Sequence, residues 1–239
     1  GSNPMLESAR VLAAGAPGRM AAWRVHGYGG AAELRLESAR VPTLRRPDEL
    51  LVQVTAASIN PIDVAMLDGY GSRILNTLRR LEGTDVEFPL VPGREFSGRV
   101  VSAGRAARLR PGARVWGVLP PHRPGALAQY ALVPERWAGR APAGLDAVSA
   151  GGALYAGLTA ASAVRAAGVA GPAGRGARVL LLGLGGVGQA ALQLLAHAGA
   201  EVVVGCAGEQ AEAAKALGAA EVLDRHRPDY DELLETSGP

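Results

Sequence analysis

The stretch Val179–Leu195 reads VLLLGLGGVGQAALQLL and places Gly183, Gly185 and Gly188 in GxGxxG spacing. The run before it, Ala177–Leu182, is almost continuously apolar, as expected of a parallel strand buried on both faces. The stretch after it is helix-forming and closes at Gly199. In such a turn the first glycine permits the tight bend, the second lets a pyrophosphate approach the backbone, and the third lets helix and strand pack closely. The helix N-terminus then presents free N–H groups to the anion. EVVVGC, Glu201–Cys206, supplies a second strand at the right distance. The chemistry indicated is dinucleotide binding, with Gly183, Gly185, Gly186, Val187 and Gly188 lining the cradle. The competing reading is a glycine-rich strand-to-helix turn that holds no ligand.

The second strand bears on the choice of cofactor. NAD sites place Asp or Glu about twenty residues beyond the glycines to take the ribose hydroxyls. Here that region holds Gly205, Cys206 and Ala207, with Glu209 slightly beyond. Without a carboxylate the site does not repel a 2′-phosphate, and Lys215 or Arg225 can approach it, so NADP(H) is the expected cofactor. The competing reading of Lys215 is a solvated charge on an amphipathic helix.

The elements that position these residues divide the chain. From Ala21 onward, ELLVQVTAAS (49–58), EFSGRVVSAG (95–104), RPGARVWGVL (110–119) and GALAQYALVP (125–134) read as short strands separated by Gly and Pro. They predict a small β-rich, barrel-like domain over about 21–145. A helix follows from an Asp146 N-cap to Gly168, then a loop to residue 176, the two forming a connection over 146–176. The α/β second domain is expected over 177–239. Residues 1–20 form an extension. Gly1–Pro4 reads as a cloning scar, and MLESARVLAAGAPGR reads either as the remnant of a mitochondrial presequence or as a tail of no significance.

Composition narrows the function classes. With 239 residues and 48% hydrophobic content the chain is globular. No stretch of about 18 residues is free of polar groups, so no transmembrane segment is expected. Lys215 is the sole lysine among 25 basic residues, which points to arginine-rich codon usage. The few scattered aromatics offer no base-stacking platform, so no nucleic-acid partner is expected. The single cysteine, Cys206, excludes an intrachain disulfide and a cysteine-rich zinc lobe. His26, His122, His197 and His226 have no metal or triad spacing and are read as structural.

AASINPIDVAMLDGYG, FPLVPGREFSGRVVSAG, PGARVWGV, GALAQYALVP, ALYAGLTA and GLGGVG occur in the order found in the medium-chain dehydrogenase/reductase superfamily. The chain most resembles the zinc-independent quinone-oxidoreductase branch and, within it, the mitochondrial NAD(P)H oxidoreductases of the reticulon-4-interacting subfamily. The resemblance spans nearly all of Ala21–Asp224. It implies an N-terminal GroES-like domain followed by a Rossmann doubly wound parallel sheet. Zinc-dependent members carry a ligand Cys where this chain has Asn60 and a ligand His where it has Arg94, so no metal is expected there. Without a Lewis acid, the hydride acceptor must already be electron-poor, as a quinone or an enone is. The resemblance places Asn60 and Tyr70 in the substrate cleft as catalytic candidates and Thr159 beside the nicotinamide. Each has a local alternative: Asn60 as a turn residue, Tyr70 as a packed loop aromatic, Thr159 as an ordinary helix position. Asp63 is expected to brace the segment after Pro61 and not to act as a general base.

Three departures from the subfamily weaken the cofactor contacts: Leu184, Ala207 and Arg225 stand where hydroxyl-bearing residues are usual. A complete cofactor sheet has six strands, and the residues from Gly183 to Pro239 suffice for three. The sheet is therefore expected to stop after its third strand, with the edge of strand 177–182 open. Two functions follow. One is an NADPH-dependent oxidoreductase acting on a quinone or activated carbonyl in mitochondrial ubiquinone metabolism, with a cytoplasmic location as the alternative. The other is a catalytically silent interaction protein for which the resemblance supplies reticulon 4 as partner. A homodimer is left open.

Overall fold

The structure, a computed structural model, describes residues 17–83 and 87–237. The expected extension over 1–20 therefore lies outside the described residues except for its last four, of which Arg19 and Met20 already belong to a strand. The chain forms two compact units, Gly1–Tyr155 and Ala156–Pro239.

In the first unit β1 (Arg19–Arg24) and β2 (Arg35–Arg40) make an antiparallel ribbon. Then come β3 (Glu49–Ser58), α1 (Pro61–Leu67), α2 (Ser72–Leu81), β4 (Glu95–Ala103), β5 (Arg114–Val118), β6 (Tyr130–Pro134) and β7 (Ala138–Arg140). The last five strands form one antiparallel sheet in the order β6-β3-β4-β5-β7. This is the β-rich domain expected from the sequence, but the sheet is open, with β6 and β7 as its edges. Its core is Leu50, Val52, Phe96, Val100, Val115, Leu119 and Val133, all essentially inaccessible. Apolar strand positions opposite one another across β3, β4, β5 and β6 supply it, which is why the four short runs were recognisable as strands.

The β3–β4 register shifts twice, between Leu51 and Val52 and between Val54 and Ala56, which bends the pair. Gly98 lies opposite Val54 at this bend, and a Cβ there would collide with the carbonyl oxygen of Gln53 and the side chain of Val52.

The second unit contains β8 (Arg178–Leu182), α4 (Gly186–His197), β9 (Glu201–Cys206), α5 (Ala211–Ala216), β10 (Glu221–Asp224) and α6 (Tyr230–Ser237). Among the described residues its strands are parallel in the order β10-β9-β8, three in number as expected. Among the described residues β8 pairs with β9 alone, and Leu182 on it is 63% exposed. Its second edge is open. The helix expected after Asp146 is α3 (Ala147–Ala166). Asp146 caps it, its Oδ1 accepting from the N–H groups of Val148 (2.8 Å) and Ser149 (2.9 Å), as an N-cap carboxylate does.

The compact units divide inside α3, ahead of the break before Ala177 expected from the sequence. The physical reason is that Ala160 and Val164 of the second half of α3 bury into the same core as Leu184, Leu192, Leu195, Val202 and Val204. Its first half belongs to the other unit, where Gly151 lies so close to Ala56 that a Cβ would touch it at 2.8 Å. Among the described residues this one helix is long and apolar enough to cross a membrane by length and composition. Gly151 and Ala160 are the small residues that make these close approaches.

Gly98→Ala is expected to lower stability by about 1–3 kcal/mol, since the obstacle at that bend includes backbone that cannot step aside. Urea unfolding followed by tryptophan fluorescence measures it, with Trp116 reporting from the neighbouring strand β5.

Candidate active site

The candidate residues fall into two groups, one in each unit. In the first unit, Asn60 is the N-cap of α1, with extended backbone. Pro61 follows in the first turn, where its missing N–H goes unnoticed. Asp63 is 1% exposed and closes the cap, its Oδ2 accepting from the Asn60 N–H at 2.8 Å. The Asn60 side chain in turn faces the Asp63 N–H, which completes a reciprocal capping box. Asp63 Oδ1 accepts from the Gly93 N–H, also at 2.8 Å. Both oxygens are engaged in holding the turn, which gives Asp63 the bracing geometry read from the sequence.

Asn60 does not stand alone. Its Nδ2 donates to Ser58 Oγ at 3.0 Å and to Glu95 Oε1 at 3.0 Å. Ser58 Oγ donates to the same Oε1, and the Tyr155 N–H donates to Glu95 Oε2 at 2.8 Å. A carboxylate only accepts, so the amide nitrogen, not the amide oxygen, must face Glu95. Both amide hydrogens of Asn60 are thereby taken, and what remains for a ligand is the outer lone pair of its carbonyl oxygen, an acceptor. Sequence reasoning missed Glu95, although a signal was present. A glutamate opening an apolar strand needs partners if it is buried, and Glu95 is 1% exposed.

Arg94 is also 1% exposed. Its Nη1 donates to the carbonyls of Pro120 and Arg123 (2.9 Å each), its Nη2 to that of Val91 (3.0 Å). Nε lies 3.5 Å from Asp63 Oδ1 and makes no hydrogen bond. Burial pulls the guanidinium down to about 10 against the opposing pull of the Asp63 carboxylate, so Arg94 is still a cation at neutral pH. A buried cation stitching three carbonyls cannot ligate a metal. Among the described residues no group of three or more His, Cys, Asp or Glu could hold one.

Tyr70 follows α1 and is 67% exposed, so it is not a packed loop aromatic. Beyond it α2 carries exposed Ile74, Leu78 and Leu81 at helical spacing.

In the second unit the glycine turn has the geometry its spacing predicted. Gly183 adopts φ +93°, a conformation that favours glycine. A Cβ at Gly188 would collide with the Gly183 carbonyl oxygen, so helix and strand meet at this contact. At Gly183 and Gly185 an added Cβ would enter open space, which leaves the backbone approachable. Gly185 is the N-cap of α4 and carries no side chain to satisfy the first N–H groups of the helix. Leu184 does not obstruct the turn: it is buried in the core, while its carbonyl accepts from Gln189 and Gln210. Val187 is exposed in the first turn of α4. α3 passes beside this turn, with the Ala156 Cβ at 3.7 Å from the position of a Cβ on Gly186. Thr159, exposed on α3, stands about one helical turn further on.

The two basic candidates differ. Lys215, on α5, pairs with Glu212 at 3.1 Å within its own helix. Arg225 follows β10, and its N–H donates to the Cys206 carbonyl at 2.9 Å, which puts it against the end of β9. The fold brings a carboxylate there from the next strand, Asp224, which is not adjacent to β9 in the sequence. Asp224 Oδ1 accepts from the N–H groups of Gly208 (3.1 Å) and His226 (3.0 Å). Cys206 itself is inaccessible, and burial pushes its thiol up.

The alcohol dehydrogenase GroES-like domain family matches residues 46–143. The chain is 40% identical to a Drosophila melanogaster protein named NAD(P)H oxidoreductase RTN4IP1, mitochondrial, over 92% of this chain and 59% of that protein. It is 38% identical to the Caenorhabditis elegans protein named reticulon-4-interacting protein 1, mitochondrial, over 84% and 57%. Among solved structures it is similar to the quinone oxidoreductase from Coxiella burnetii, with a TM-score of 0.77 and 28% identity over 91% of this chain and 65% of that one. The chain thus spans less than two thirds of the length of each of these relatives.

Glu95→Gln is expected to destabilise the protein by about 1–3 kcal/mol, because an amide group would have to face donors it cannot accept from. Urea unfolding measures the loss, and faster hydrogen exchange at the Tyr155 amide locates it.

Proposed function

We propose that the chain, a member of the medium-chain dehydrogenase/reductase superfamily in its quinone-oxidoreductase branch, carries the acceptor-binding and dinucleotide-binding parts of a zinc-independent, NADPH-dependent oxidoreductase. Its substrate class is a quinone or an activated carbonyl. The observation that carries this reading is the turn at Gly183–Gly188, open above Gly183 and Gly185 and closed below by the contact of Gly188 with Gly183. When bound, the cofactor supplies a hydride. The chain's own part is to hold and orient.

The backbone of the turn and the first turn of α4 accept the pyrophosphate. Arg225, at the end of β9, takes the 2′-phosphate by charge, while Asp224 beside it is already occupied by two backbone N–H groups. Thr159 contributes to the nicotinamide end. On the acceptor side, Tyr70 donates the hydrogen bond to the oxygen where negative charge develops. Asn60 offers the outer lone pair of its carbonyl oxygen to a hydroxyl, such as that of the hydroquinone product. The setting we propose is the mitochondrion, following the names of the relatives, with ubiquinone metabolism as its context.

A second reading, a reticulon-binding protein without turnover, draws support from the exposed row Ile74, Leu78 and Leu81 on α2 and from the name of the nematode relative.

Two substitutions separate fold from function. Gly185→Ala places a methyl in open space at φ −74°. The thermal midpoint is therefore expected to stay unchanged while NADPH affinity falls about ten-fold or more. Arg225→Glu is expected to weaken NADPH and leave NADH nearly unaffected. Tryptophan fluorescence titrations read both, and NADPH absorbance with a benzoquinone reads turnover, which Tyr70→Phe should lower. Failure of the unmodified chain to bind either dinucleotide removes the oxidoreductase reading; binding without turnover favours the second.

A further inference from the structure

The first unit contains a cavity of about 630 Å³ that none of the candidate residues touches. That volume lies within the range of small-molecule sites. Its floor is apolar, formed by Met20, Leu90, Val91, Ala131 and Leu132, and its rim is cationic, with Arg40, Arg45 and Arg46 among the residues lining it.

The charges around it sort cleanly. Glu49, 2% exposed, accepts from the backbone N–H groups of Arg45 (2.8 Å) and Arg46 (3.0 Å) through Oε2, and its Oε1 faces Arg123 at 3.6 Å. Glu82 is held by Arg123 at 2.7 Å and His122 at 3.0 Å. Burial raises the Glu82 carboxyl, and these two partners more than reverse that, keeping it below the usual range and ionised at neutral pH. Glu87 accepts from the Tyr28 hydroxyl. Arg24 pairs with Glu37 at 3.1 Å, and Arg79 donates to the His122 carbonyl at 3.1 Å. Every one of these acids is engaged. The side chains of Arg40, Arg45 and Arg46 have no acidic partner among the described residues, and Glu49 fixes the turn that carries two of them.

We propose that this cavity binds a carboxylate-bearing amphiphile, its chain on the Leu90–Leu132 floor and its head between Arg40, Arg45 and Arg46. Three guanidinium groups with no acidic partner among the described residues favour an anion over a cation, and carboxylate is the planar acceptor that a guanidinium fork matches. An apolar floor beside them selects against a small hydrated anion. The buried Tyr130 at the wall leaves no exposed ring for a base to stack on, which disfavours nucleic acid.

The test is an amide chemical-shift titration of the full chain with decanoate, decanol and decyltrimethylammonium. Decanoate is expected to shift the amides of Met20, Ala128 and Leu132, to bind about ten-fold or more tightly than decanol, and to weaken with added salt. The decyl ammonium should not bind there. Combined replacement of Arg40, Arg45 and Arg46 by Gln keeps the amides that Glu49 needs and is expected to abolish the preference for decanoate. Removing the same number of charges at Arg105, Arg108 and Arg110 should leave it intact. Equal binding of decanol and decanoate, an unaffected triple variant, or shifts confined to other parts of the surface would each overturn the proposal.

Discussion

A buried carboxylate needs its oxygens hydrogen-bonded, and Glu95 imposes that condition on the centre of the first unit. Its donors come from the end of β3, from the cap of α1 and from the backbone of α3. Meeting the condition fixes the orientation of the Asn60 amide and commits its hydrogens. The chemistry open to Asn60 is therefore decided by its neighbour: it accepts. Next to this cluster, Asp63 likewise has both oxygens engaged, and Arg94 beside it donates to three carbonyls. Between them they tie α1 to the strand entry at Gly93 and to the loop carbonyls of Val91, Pro120 and Arg123.

The second unit rests on a steric constraint in place of an electrostatic one. Where α4 leaves β8, the contact of Gly188 with the Gly183 carbonyl leaves no volume for a side chain, while the space over Gly183 and Gly185 stays empty. Close packing on one side and access on the other are what an anion at a helix N-terminus requires. The presence of Leu at 184 is compatible with this because the strand-to-helix turn directs that side chain into the core.

The two units thus show a common device: polar or cramped positions are satisfied from within, so that the groups left over are few and of definite character. At Asn60 what remains is an acceptor, at the glycine turn a set of N–H groups, and at the Arg40–Arg46 rim a set of cations. Binding selectivity in such sites comes from what the fold has already consumed as much as from what it presents.

Much of this was legible along the chain. Hydrophobic patterning located β3, β4, β5, β6, β8 and β9, the Asp146 cap and the glycine turn, because each depends on neighbours within a few residues or on side-chain alternation. Asp63 as a brace was legible for the same reason, being three residues from the amide it caps. Tertiary structure decided the rest. That Glu95 meets Asn60, that Arg94 turns inward, that Asp224 reaches Gly208 from the next strand, and that the second half of α3 joins the core of the second unit all depend on residues brought together from distant parts of the chain. Hydrogen-bond satisfaction and close packing are properties of those meetings, and spacing along one dimension does not contain them.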